Sequence, residues 1–392
     1  MNSKHSTSKH KSKLSRRAFI RGISLTSAGT IAAALTQRTV AENQPSKPNE
    51  NSKILNYNPK MGYRTLGKTG LILSEVSLGG HFKDRRGDRY WDEFPDEKVP
   101  QDVAKNRIDV ISACIDAGIN YVDLGTSAEC LAYGVALKGR RDKMYVGADD
   151  FKLTARSADN CKVDKLTFDV DQCCRRLQSD YLDIWRVKAD MYGESTDAHV
   201  ETIIQTFEKA RKAGKVRFLA VSSHNRPWLQ HIVESFEQFD VVSFPVSAKT
   251  RERGRPPAKD NIEEVNAGYG ADTTQSIFEA VRRRNVGVIA IKPFLGGKLF
   301  DSNAKFPVKG PGGKTQHDLA RLTLQCILAN QTVTATVPGL TTLYELDNAV
   351  RASYMRSLGQ TAAEEAWLNE ITEKRWAKLP REYQWLRNWE LV

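Results

Sequence analysis

Ile119-Asn120-Tyr121-Val122-Asp123 is a short apolar run that closes on a carboxylate. Helical periodicity is predicted before it over Ala104–Ala117 and after it over Ser127–Lys138. The same unit, a short β-branched run, a turn and an amphipathic helix, repeats along the chain in both directions. Strands are predicted at Glu75–Leu78, Asn120–Asp123, Met144–Ala148, Leu182–Val187, Val216–Val221, Val241–Phe244, Val286–Ile291 and Thr334–Val337. Further helices are predicted near Lys165–Gln178, Val200–Ala213, Pro227–Phe236, Thr274–Arg284, His317–Ala329 and Leu343–Ala352. Near-continuous apolar strands alternating with helices indicate a parallel sheet covered on both faces. Eight such units close naturally into an α/β fold of the (β/α)8 TIM-barrel kind. No GxGxxG follows the first strand, which counts against a doubly wound open sheet. Arg64 to Ser74, with Gly67 and Gly70 in the turn, reads as an N-terminal β-hairpin, and the tail holding Trp376, Tyr383, Trp385 and Trp389 as a C-terminal extension. That tail either lids the pocket or docks on the outer wall. Two long connections, His81 to Gln101 and Pro245 to Asp272, follow strands and so rise over the C-terminal mouth, where such barrels hold ligands.

The net charge of +12 is concentrated at one end. Residues 1–41 hold eight Lys and Arg and no acid, so the rest of the chain is close to balanced and carries no nucleic-acid footprint. Ser15-Arg16-Arg17-Ala18-Phe19-Ile20, a mildly apolar stretch from Ile23 to Leu35 and Thr39-Val40-Ala41 resemble a twin-arginine export signal with its cleavage site. The expectation is a signal over 1–41, a flexible linker over 42–60 and one barrel domain over 61–392. The mature product is expected to be periplasmic or extracellular, delivered by the twin-arginine translocation machinery, with no membrane span. Six cysteines form no CxxC pair and no zinc spacing with His, so free thiols and no metal are expected.

Several segments carry a resemblance. They are Tyr63-Arg64-Thr65-Leu66-Gly67-Lys68-Thr69-Gly70-Leu71, Val76-Ser77-Leu78-Gly79-Gly80, Asp116 to Asp123 and Ala136 to Lys143. Ser179 to Ile184, Lys212 to Arg217, Ser222-Ser223-His224-Asn225, Lys292 to Gly297 and Val337-Pro338-Gly339 complete the set. In this order and spacing, from 61 to about 353, the chain resembles the aldo-keto reductase family. The resemblance implies hydride transfer between a nicotinamide cofactor and a small carbonyl or alcohol, with a Tyr as proton donor, a Lys paired to an Asp beside it, and a His that orients the carbonyl.

Carried over position by position, the resemblance places Asp123 on the family Asp. The family Tyr position holds Ala128, the Lys position Asp149 and the His position Lys188. Asp123, Asp149 and Lys188 are therefore the candidate catalytic residues, with Lys188 expected to face both acids. Three readings stay open: a salt-bridge plug over a lost centre, a rebuilt site with Lys188 as acid or Schiff-base amine, or a cation or polyol site at Asp149 and Asp150. In the rebuilt site Tyr90, Tyr133 or Tyr192 is the candidate proton donor. On the cofactor side the resemblance assigns Ser222, Ser223 and Asn225 to the nicotinamide amide. It assigns Lys292, Pro293, Phe294, Gly296, Gly297 and Gly339 to the pyrophosphate loops, and Asn348 to the adenine. Tyr344 replaces the basic partner of a 2′-phosphate, and Asp347 occupies the acidic position. The expected cofactor is NAD(P), tightly bound or absent, and the alternative function is a non-catalytic barrel for a sugar or other polar ligand.

Overall fold

A computed structural model describes residues 53–82, 93–150, 152, 155, 158–188, 195–250, 276–300 and 316–379. The stretch read as an export signal, Tyr90, Tyr192 and most of both long connections fall outside the described residues. Strands β1 (Tyr63–Thr65) and β2 (Ile72–Ser74) pair antiparallel as the hairpin. The barrel strands are β3 (Leu78–Gly79), β4 (Tyr121–Leu124), β5 (Tyr145–Ala148), β6 (Leu182–Lys188), β7 (Val216–Ser222), β8 (Val241–Pro245), β9 (Gly287–Ile291) and β10 (Ala335–Thr336). They form one parallel sheet in sequence order. Parallel bridges Val76 to Thr336 and Gly79 to Gly339 join its first and last strands, so the sheet closes as a (β/α)8 barrel.

Nine helices are described: α1 (Gln101–Ala117), α2 (Ser127–Leu137), α3 (Val163–Leu177), α4 (Asp197–Lys212), α5 (Arg226–Ser235), α6 (Ile277–Arg284), α7 (Gln316–Leu328), α8 (Leu343–Tyr354) and α9 (Ala362–Ala377). Their starts follow local chemistry. Thr126, Thr196, Asn225, Ser276, Thr342 and Thr361 each cap a helix with a side-chain oxygen. Gly118 ends α1 at φ +90, and a Cβ there would meet Asn58 and Tyr63 at 2.6 Å.

The hairpin plugs the floor. Leu66, Leu71 and Leu73 are buried against Tyr121, Ile184, Ala220, Val241, Ile289 and Ala335, the inward side chains of the strands. Each such leucine stabilises the fold by about 1.5–3 kcal/mol. Residues 53–60, expected within the flexible linker, are instead tied to this end of the barrel. Asn56 Nδ2 donates to Ile119 O at 2.9 Å and to Lys143 O at 2.6 Å. The C-terminal extension docks through α9, whose Trp367 and Leu368 pack with Leu319 and Leu322 of α7 and with Leu299. Trp376 reaches Leu295 in the loop after β9. All six cysteines are free thiols; Cys326 is only partly buried. Among the described residues no helix is long and apolar enough to cross a membrane, and no group of three or more His, Cys, Asp or Glu could hold a metal.

Candidate active site

Strand alternation points Tyr121 and Asp123 of β4, Gly147 of β5, and Ile184 and Arg186 of β6 into the barrel. The Tyr121 ring crosses toward Gly147, where a Cβ would lie 2.2 Å from its hydroxyl, so glycine leaves that space. The hydroxyl donates to Asp123 Oδ1 at 3.0 Å. Burial, the Asp123 charge and this bond push the Tyr121 pKa well up. Asp123 is 8% exposed. Its charge partner is Arg186, which the sequence analysis did not single out: Nε donates to Asp123 Oδ1 at 2.6 Å and Nη2 to Leu124 O at 2.9 Å. Burial pulls the Arg186 pKa down, but Asp123 and its neighbours outweigh it and hold the guanidinium above its ordinary range.

The three catalytic candidates meet at the strand ends but divide among separate contacts. Lys188 Nζ donates to Gly125 O at 2.8 Å, while its backbone N donates to Asp149 Oδ2 at 3.0 Å. Asp149 is fully buried. Its Oδ1 receives no N–H donor; the group opposite is the carboxyl of Asp169 on α3, also fully buried. Burial and the Asp149 charge raise the Asp169 pKa well above its ordinary value. Trp185 Nε1 and Asp150 N donate to the same Asp169 carboxyl at 3.2 and 3.1 Å. Asp150 takes Arg176 Nη1 at 2.7 Å. A single cluster of Lys188 with both acids is therefore replaced by an Asp123–Arg186 ion pair and a buried Asp149–Asp169 carboxyl pair.

Ala128 is buried at the start of α2. The next residue, Glu129, is 1% exposed; its Oε2 accepts Gly125 N at 2.7 Å, and its Oε1 meets His81 Nδ1 from the loop after β3. Tyr133, a candidate proton donor, instead accepts from Arg107 Nη1 at 3.0 Å, packs edge-on to Phe82 and is pushed up to about 12 by burial.

On the other side of the mouth, Ser222 ends β7 beside Lys188 and Ser243. Ser223 N donates to Ser243 O at 3.1 Å. Asn225 is fully buried; Oδ1 caps α5 through Trp228 N at 3.0 Å, and Nδ2 has no partner. Arg226 follows, 3% exposed, with Nη2 on Pro245 O and Thr250 Oγ1 but Nε and Nη1 unpaired. Burial lowers its pKa to about 9. Lys292, Leu295, Gly296 and Gly297 all have positive φ, a tight turn after β9 that includes two non-glycines in the left-handed region. Gly339 has a packing reason of its own, since a Cβ there would lie 2.7 Å from His81 O. Asn348 is partly buried on α8, Tyr344 is 56% exposed, and Asp347 pairs with Arg351 at 2.9 Å.

Known proteins extend this picture. The family model for the aldo/keto reductase family matches residues 96–362. L-galactose dehydrogenase of Arabidopsis thaliana is 23% identical over 351 residues, 81% of this chain and 97% of that protein. Aldo-keto reductase YhdN of Bacillus subtilis is 26% identical over 194 residues, 47% of this chain and 51% of its own length. Among solved structures, the holo form of aldo-keto reductase AKR11C1 from Bacillus halodurans superimposes with a TM-score of 0.55 at 19% identity, covering 79% of this chain and 96% of that one. Fold, strand order and family model agree: the chain belongs to the aldo/keto reductase family.

Proposed function

We propose that the chain is an exported, nicotinamide-dependent oxidoreductase acting on the carbonyl or alcohol of a small, sugar-like molecule, without the family's Tyr, Lys and His. The observation that carries this reading is Asn225. Its Oδ1 is spent on the helix cap while Nδ2 stays buried and unpaired, and a buried donor without an acceptor costs about 1–3 kcal/mol. A carboxamide oxygen of nicotinamide is an acceptor that fits it, with Ser222 and Ser223 alongside. The left-handed turn at 292–297 suits a close backbone approach to a pyrophosphate, and the family resemblance assigns Asn348 to the adenine. Bound there, the nicotinamide supplies or accepts a hydride; positioning the substrate and moving its proton fall to the chain. Tyr344 offers no charge to a 2′-phosphate, which favours NAD over NADP. The dehydrogenase activity named for the Arabidopsis relative supports a polyol or sugar substrate.

Arg16-Arg17 and the apolar stretch behind it support twin-arginine export, which carries folded and cofactor-loaded proteins. An exported enzyme then holds its cofactor tightly and needs a partner to recycle it. Replacing Arg16 and Arg17 together by Lys is expected to leave the protein in the cytoplasm by fractionation; unchanged export would remove this part of the reading.

A second reading, a non-catalytic barrel for a polar ligand, is favoured by the Asp123–Arg186 pair that fills the interior. Mass spectrometry of the purified protein, with fluorescence titration by NADH and NADPH, separates the two. Retained cofactor or saturable binding is expected. No cofactor, and no signal up to millimolar additions, would leave only the polar-ligand barrel.

A further inference from the structure

We propose that Arg226 and Gln230, at the start of α5, form an oxyanion-binding site that takes the carboxylate or phosphate group of a small polar ligand. The site holds under either reading above, because the cofactor reading uses Asn225 and leaves Arg226 and Gln230 without a task.

Four arginines are buried among the described residues, and three of them are provided for. Arg186 pairs with Asp123 at 2.6 Å and Arg321 with Glu364 at 3.1 Å. Arg107 has no carboxylate, but its Nε, Nη1 and Nη2 all donate, to Asn106 Oδ1, the Tyr133 hydroxyl, Leu340 O and Thr341 O. Arg226 differs on both counts. It is 3% exposed, and its Nη2 donates to Pro245 O and to Thr250 Oγ1. Nε and Nη1 have no acceptor, so Nε–H and both Nη1–H groups go unmatched. Among the described residues no carboxylate pairs with it.

The Phe244 ring lies 5.5 Å from its Cζ, and a cation–π contact of that kind recovers only part of what desolvation costs. Burial lowers the Arg226 pKa to about 9, and no neighbouring acid pulls it back as Asp123 does for Arg186. What the guanidinium requires is therefore negative charge. A water molecule accepts a hydrogen bond but brings no charge. An oxyanion supplies both, and its charge-assisted bonds are the strong ones.

Gln230 adds a second, independent donor. It lies four residues after Arg226, so both side chains rise from the same face of α5. It is also 3% exposed, and its Nε2 is unpaired. The start of a ten-residue helix adds positive potential to the same place. Asn225 caps α5 directly after β7, and Arg226 reaches the carbonyl of Pro245 at the end of β8. Both strand ends open on the C-terminal face of the barrel, the face that holds ligands. A buried guanidinium with an amide N–H beside it selects a carboxylate or phosphate over a neutral hydroxyl.

The test uses the mature protein, with D-glucuronate and inorganic phosphate as probe anions and D-glucose as the neutral control, at an ionic strength held constant with chloride. Titration calorimetry is expected to show saturable binding of at least one anion to the wild type and none of glucose. Arg226→Met should weaken that binding about ten-fold or more, and Gln230→Leu should weaken it by a smaller factor. Gln230→Leu keeps the guanidinium and its bond to Pro245 O, so it tests the site even if Arg226→Met fails to fold. Tighter glucuronate binding assigns the site to a carboxylate-bearing ligand, tighter phosphate binding to a phosphorylated one. NADH affinity, read by fluorescence, is expected to stay within about two-fold in both variants. A wild type that takes an anion but no NADH removes the oxidoreductase reading and leaves this site standing. If neither anion binds the wild type, or if both variants bind as tightly as it does, the inference is overturned. It is overturned equally if Arg226→Met weakens NADH binding alone, which would assign the guanidinium to the cofactor.

Discussion

The two halves of the barrel mouth treat their polar groups in opposite ways. At the ends of β4, β5 and β6, most charged groups find partners within the chain: Asp123 with Arg186 and Tyr121, Lys188 with Gly125 O, and Glu129 with His81, while Asp149 Oδ1 alone faces the Asp169 carboxyl. Where β7 passes into α5, buried donors go unmatched: Asn225 Nδ2, Arg226 Nε and Nη1, and Gln230 Nε2. Such partners stabilise charged groups without a ligand. Unmatched buried donors cost free energy that a folded chain recovers only when an acceptor arrives. On the proposed reading, the half that keeps its polar groups partnered is the reaction centre, and the half with unmatched donors is the one that takes the cofactor.

Breaking the matched half should have the largest effect. Arg186→Met leaves Asp123 buried with no cation and is expected to cost about 3–5 kcal/mol in denaturant unfolding. Adding Asp123→Asn should return much of that loss, because the uncompensated charge disappears and Tyr121 keeps an oxygen partner. A single Arg186→Met that unfolds at the wild-type midpoint would show that the ion pair carries no stability.

A smaller effect sharpens the comparison through pH. The folded-state pKa of Asp169 is raised, so the unfolded chain releases that proton first and folding stability declines as pH rises above about 4 toward the folded value. Asp169→Asn removes the titration, and the stability difference between mildly acidic and neutral solution should shrink measurably. An unchanged pH dependence would mean that the Asp169 pKa is not raised.

The barrel was legible because each strand is a short apolar run between helices of clear period, and the structure keeps those strands with boundaries shifted by a residue or two, except that the first starts three residues later, at Leu78. Gly79 extends the first strand and Lys188 the fourth. Asp123, Asp149 and Lys188 were findable because they end such runs. Their partners were harder to see. Arg186 lies two residues before Lys188, so strand alternation alone puts it on the same inward face, a signal hidden within an otherwise apolar run. Asp169 sits in the buried stripe Leu166, Asp169, Val170, Cys173, Leu177 of α3, where a lone acid at a core position was the mark. Thr126-x-x-Glu129 has the spacing of a capping box, which disguises Glu129 as a helix-start residue; Thr126 does cap α2, but Glu129 turns to Gly125 and His81 instead. Pairings across forty residues or more follow from closure of the barrel and leave no local trace.

Calorimetric titration of NADH into the mature protein and into its Asn225→Asp variant tests the account most directly. Aspartate retains the oxygen that caps α5, in a position the helix dipole favours, and replaces the unpaired Nδ2 donor with a charged acceptor that repels a carboxamide oxygen. The account predicts saturable binding to the wild type and affinity at least about ten-fold weaker in the variant, the loss of about 1.4 kcal/mol that one buried hydrogen bond represents. Equal affinity in the two proteins, or heat from neither, would contradict it.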